Sequence, residues 1–84
     1  MKNKMLIEIF VPASGETFEF WIPRGYRIAY VNQLLVEFFL SHSQGGYVPD
    51  KGSVLCDRKS GRIINGSLSM DALEKMDNPR LMLI

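Results

Sequence analysis

The stretch IAYVNQLLVEFFL, residues 28–40, decides the fold. At about 100° per residue, Ile28, Val31, Leu35, Phe38 and Phe39 fall on one stripe, with Asn32 at its edge and Gln33 and Glu37 opposite. That spacing predicts an amphipathic helix, the one long helix of the chain. Its start carries no good cap, because Tyr26 and Arg27 lack the short side-chain oxygen of Ser, Thr or Asp. Gly45 and Gly46, within Ser41–Gly46, offer a left-handed residue to close it. A helix this apolar must bury its stripe, and the flanking sequence supplies short strands rather than a second helix. One sheet around one helix is therefore expected, an α+β class.

Upstream, Met5 to Val11 alternates, with Met5, Ile7, Ile9 and Val11 on one face and Leu6, Glu8 and Phe10 on the other. Pro12 to Glu16 is a turn. Thr17 to Ile22 alternates again, placing Phe18, Phe20 and Ile22 inward and Thr17, Glu19 and Trp21 outward, so the two strands should form an antiparallel hairpin. Pro23 and Gly25 end the second strand.

Downstream, Tyr47 to Gly52 reads as loop, Ser53 to Asp57 as a short strand, Arg58 to Gly61 as a turn and Arg62 to Ile64 as a very short return strand. Ser67 is placed to cap one helical turn containing Leu68, Met70 and Leu73. Met76 to Pro79 connects to a last strand, Arg80 to Ile84, with Leu81 and Leu83 on one face and Met82 and Ile84 on the other. The expected order is ββαββ, a short helix, then β: a sheet of four to five strands. Residues 1–84 make one domain, with an ordered core over about residues 5–84.

Composition excludes several function classes. A net charge of +1 gives no strong attraction to nucleic acid or anionic membrane, and no run approaches the roughly 18–20 apolar residues of a membrane span. With Cys56 alone, no internal disulfide forms, and one cysteine beside one histidine cannot hold zinc. A cytoplasmic protein without cofactor or metal is expected. Cys56 and His42 are the residue types of a nucleophile and base, but a strand cysteine is ordinarily a small hydrophobe and a histidine near a helix C-terminus meets the dipole and the last carbonyls. Glu16 with Glu19, and Asp71 with Glu74, have no pocket to shift a pKa. No lysine with serine or threonine follows a glycine loop, and Arg58, Lys59 and Arg62 form a basic turn without interleaved aromatics. The chain is not expected to be an enzyme.

In order and turn length the sequence resembles ubiquitin, the β-grasp arrangement, over about Met5 to Ile84: IFVPASGETFEFWIP is similar to the first hairpin, IAYVNQLL to the helix, and VLCDRKSGRIINGSLSMDALEKMDNPRLMLI to the last third. Within that superfold it resembles the bacterial YukD/EsaB group associated with type VII (WXG100) secretion, in length, in the proline-containing approach to a very apolar helix (IPRGYRIAYVNQLLVEFF) and in the late helical turn. The resemblance implies a mixed sheet whose first and last strands pair centrally. It also implies a protein-binding module, monomeric or weakly dimeric, whose partner is a membrane secretion component. It carries across no catalytic residue. Conjugated ubiquitins and sulfur carriers of the ThiS and MoaD type expose a Gly-Gly tail, which Leu81-Met82-Leu83-Ile84 does not provide. A modifier relative lacking that tail, or a nucleic-acid-linked module of the TGS type, is the alternative.

Central pairing of the first and last strands would gather Leu6, Phe10, Leu55, Met82 and Ile84 into one apolar patch on the outer face, in the place by which ubiquitin meets its receptors. A one-residue register slip in any strand would instead send its residues to the core. Trp21 is a separate anchor on an edge-side strand, with Glu8, Arg62 and Arg80 as orienting rim charges. Val36 and Leu40 make a smaller strip on the helix flank.

Overall fold

The computed structural model of the chain describes residues 3–42, 52–75 and 79–84. Strands β1 (Lys4–Val11) and β2 (Glu16–Pro23) form the expected hairpin, followed by helix α1 (Ile28–His42), strand β3 (Leu55–Asp57), a 3₁₀ helix (Met70–Lys75) and strand β4 (Arg80–Leu83). The sheet order is β2-β1-β4-β3. β1 pairs antiparallel with β2 and parallel with β4, and β3 is antiparallel to β4. This is the α+β arrangement expected, with the first and last strands in the centre. No helix among the described residues is long and apolar enough to cross a membrane.

Strict alternation in β1 puts Met5, Ile7, Ile9 and Val11 in the core, where Ile28, Val31, Leu35 and Phe39 of α1 meet them. β4 adds Leu81 and Leu83, and the 3₁₀ helix adds Met70 and Leu73. Phe18, Phe20 and Phe38 are half-buried at the β2 side and join Phe39 in one cluster of edge-to-face contacts, among them Phe18–Phe39 (ring centroids 5.0 Å), Phe38–Phe39 (5.2 Å) and Phe20–Phe38 (5.3 Å). In the hairpin turn the Ser14 and Gly15 amides both donate to the Val11 carbonyl, and Gly15 takes φ +74°, which only glycine adopts without strain.

The uncapped start of α1 has an answer that no local residue reveals. Ile28 N–H donates to the Leu68 carbonyl (2.8 Å) and Ala29 N–H to the Gly66 carbonyl (3.0 Å), while Tyr30 and Val31 donate back to Arg27. The donors a helix leaves unpaired at its first turn are thus met by backbone from the last third of the chain. The same segment continues along residues 24–26, Met70 N–H reaching the Tyr26 carbonyl and Asp71 N–H the Arg24 carbonyl. The expectation that Ser67 caps the short helix is therefore corrected. Ser67 turns back to Asn65 Oδ1 with both its hydroxyl and its amide, and the helix begins at Met70, where Ser69 hydrogen-bonds the Asp71 carboxylate. Leu68, expected in that turn, is exposed.

Two further expectations change. The third strand shortens to Leu55–Asp57, and Arg62–Ile64 contributes a single bridge, Cys56 to Ile63, instead of a strand. Among the described residues the sheet has four strands, within the four to five expected. The expected helix closure at Gly45 and Gly46, most of the 47–52 loop and most of the 76–79 connector lie outside the described residues.

Candidate protein-docking face

The outer face of the sheet follows from the register. Phe10 lies opposite Thr17 on β2 and Met82 on β4, Met82 opposite Cys56 on β3, and Cys56 opposite Ile63. One apolar row, Phe10–Met82–Cys56–Ile63, therefore crosses three strands. Ile84, 51% exposed, continues β4 beyond Met82 and exchanges backbone hydrogen bonds with Val54 in both directions.

Leu55 does not belong to this face. It pairs with Leu83 and is 1% exposed, packed toward the helix. Shifting the strand's assumed faces by one residue exchanges Leu55 for Cys56, which is why alternation in so short a strand placed the wrong residue outside. Cys56 is itself fully enclosed, and burial pushes its thiol pKa up.

The remaining anchors separate into two groups. Leu6 (40% exposed) and Trp21 (52%) are direct cross-strand partners. Between that pair and the Phe10 row runs a charged row, Glu19–Glu8–Arg80, in which Glu8 faces Glu19 on one side and Arg80 on the other. The patch is therefore not contiguous. Two like charges directly opposite are unfavourable, and Arg58 relieves them, its Nη1 donating to Glu8 Oε1 at 2.9 Å. The same guanidinium stands 4.3 Å from the Phe10 ring centroid, so one cation closes a carboxylate and an aromatic face together.

Arg58 and Ile63 were missed as members of the face. Ile63 is 69% exposed, and its bridge to Cys56 is the signal that places it there. Val36 is half-buried and Leu40 exposed on the helix flank, away from the sheet's outer face.

The nucleophile-and-base reading of Cys56 and His42 has no geometry. His42 Nδ1 donates to the Phe38 carbonyl (2.8 Å) and its ring stacks on Phe38 at 4.3 Å, at the last turn of α1. Cys56 is sealed in the sheet. Asp57 is held below the usual carboxylate range, first by the Ser60 hydroxyl and then by the Ser60 amide, an arrangement that closes the turn after β3. Among the described residues no three His, Cys, Asp or Glu side chains gather as a metal site. What the face offers is an apolar row with an ion pair, Arg58–Glu8, on its border.

No family model matches the sequence, and no curated protein is significantly similar to it. Solved structures are similar in fold. The ubiquitin-like domain of EccD5 from Mycobacterium xenopi superposes with a TM-score of 0.76 at 16% identity, over 96% of this chain and 92% of that one. A chain of the "MycP5-free ESX-5 inner membrane complex, State II" gives 0.74 at 10% identity over 98% of this chain, which spans only 21% of that larger one. The UBL domain of Plasmodium falciparum Dsk2 gives 0.65 at 14% identity, with 95% of each chain covered. The chain has the ubiquitin-like, β-grasp fold.

Proposed function

We propose that the chain is a non-catalytic, cytoplasmic interaction module that docks a protein component of a bacterial type VII secretion apparatus, as its resemblance to the YukD/EsaB group implies. The observation that carries the reading is the apolar row on the outer face, exposed at Ile63 and at Ile84 beyond it, half-buried at Phe10 and Met82 and closed at Cys56, beside the Arg58–Glu8 pair. Apolar surface rimmed by charge on so small a protein marks a partner site. The secretion context is supported by the likeness in fold to the EccD5 domain. Ile84, Met82 and Ile63 supply desolvated area, Phe10 arrives already held under a guanidinium, and the charged row fixes orientation.

The test is affinity capture from solubilised membranes of the source cell with wild type, Phe10→Asp, Ile84→Asp and, as a control on the helix, Glu37→Lys. Wild type and the control should retain a secretion component that both face variants lose. Retention of the same partner by both face variants would remove this face from the binding reaction.

A further inference from the structure

We infer that the open edge of β2 pairs with β2 of a second copy, giving a two-fold dimer in which two four-stranded sheets become one continuous sheet. The two edges of the sheet are unequal. β3 has three residues and already carries the Ile63 bridge, whereas β2 presents eight residues and, among the described residues, no strand pairs beyond them. Unpaired strand edges of that length invite another strand.

The register tells which groups are available. Arg24 N–H donates to the Asn3 carbonyl (2.9 Å), which continues the pairing of Lys4 with Pro23. Hydrogen-bonded and non-hydrogen-bonded pairs alternate along an antiparallel ladder. Residues 16, 18, 20, 22 and 24 therefore turn their backbone toward β1, and Thr17, Glu19 and Trp21 turn N–H and C=O away from the sheet. Pro23, with no N–H, falls where no donor toward β1 is needed.

A two-fold antiparallel pairing that keeps like faces together must be centred on a residue. Centring on Glu19 sets it against itself, which like charge disfavours. Centring on Phe20 sets Glu19 opposite Trp21 of the second copy, each exchanging N–H···O=C in both directions, and lets Thr17 donate to the second copy's Pro23 carbonyl. On the helix side the same register puts Phe18 against Ile22 and Phe20 against its own counterpart. Phe18, Phe20 and Phe38, half-buried along this edge, would then be covered. At the ends Glu16 comes opposite Arg24 of the second copy, whose guanidinium also pairs with Glu74 and donates to the Lys4 carbonyl of its own chain, so opposite charges meet in both halves of the dimer. Backbone, aromatic and charge patterns thus agree on one register. The Phe10–Met82–Cys56–Ile63 row, which lies beyond β2, takes no part in the pairing.

Sedimentation of the full chain from low micromolar to about 1 mM, the weak end of specific affinity, should show a monomer–dimer equilibrium. Hydrogen exchange should show protection rising with concentration at Thr17, Glu19 and Trp21. Glu19→Pro removes an outward N–H and tolerates an edge position, so it should leave the far-ultraviolet dichroism intact and weaken self-association at least about tenfold. Glu16→Arg should also weaken it, independently of any effect of proline on the strand. A monomer at every concentration, an undiminished dimer in both variants, or protection of those amides only when another protein is added would overturn the inference. The last result would assign the edge to a foreign strand.

Discussion

Asn32 sits at the margin of the helix stripe, and its side chain joins α1 to the end of the sheet. Its Nδ2 donates to the Ser53 carbonyl at 2.9 Å and its Oδ1 accepts from Leu55 N–H at 2.8 Å, so a single amide holds both sides of the chain entering β3. Asn32→Ala removes both bonds. Each contributes about 0.5–1.5 kcal/mol net, and the Leu55 amide, on a residue almost wholly buried, is left without this acceptor. The expected loss is about 2–4 kcal/mol. For a domain of this size that lowers Tm by about 10–25 °C, and with a urea m-value near about 1 kcal/mol/M it moves the midpoint down by about 2–4 M. Asn32→Asp separates the two bonds. The introduced carboxylate still accepts from Leu55 N–H but opposes the Ser53 carbonyl, so its neutral form is favoured in the fold and its folded pKa stands above the unfolded one. The variant should regain stability as pH falls through that folded pKa, where the protonated oxygen can donate to Ser53. Urea titrations of the three proteins at neutral pH and near pH 4 decide the matter. Asn32→Ala within about 0.5 kcal/mol of wild type, or an Asp variant whose deficit does not change with pH, would refute the clamp.

Gly66→Ala would bring a Cβ to 3.1 Å from the Ala29 Cβ and 3.4 Å from its Cα; with a helix backbone behind it, the expected cost is about 1–2 kcal/mol. Adding Ala29→Gly should give a favourable coupling in a double-mutant cycle, and purely additive losses would show that the close approach is unimportant. Asp57 titrates below its usual range because Ser60 binds the ionised form, so its contribution is complete above the unfolded value near about 3.9 and is lost as pH falls through the depressed folded value. The stability gap between wild type and Asp57→Asn should accordingly close on acidification from neutral pH, and a gap persisting at about pH 2 would contradict the assignment.

The helix and first strand were legible because their periods are strict over many residues: four inward side chains in β1 leave no alternative face. β3 was not, because three residues cannot establish an alternation and Leu55 and Cys56 are both buried. The division of the outer face required knowing that Glu8 lies beside Arg80, a consequence of how far β4 slides along β1, which no local pattern encodes. The start of α1 looked uncapped for a similar reason. Its acceptors are main-chain carbonyls at Gly66 and Leu68, so no side chain advertises them. Exposure of Ile63 likewise depends on a bridge and not on a propensity.

The central pairing of β1 with β4 bears on how the protein is made. Of the described strands these are made first and last, and among them β3 meets the sheet through β4. Until Arg80–Leu83 emerge, the hairpin and helix wait with the inner edge of β1 bare, and the first-turn amides of α1 wait for Gly66 and Leu68. At about 5–20 residues per second that interval lasts seconds, far longer than hairpins and helices take to form. A β1–β2–α1 fragment is therefore a nascent species whose most apolar strand can be captured by a chaperone or by a neighbouring chain, and completion is set by the arrival of its final strand.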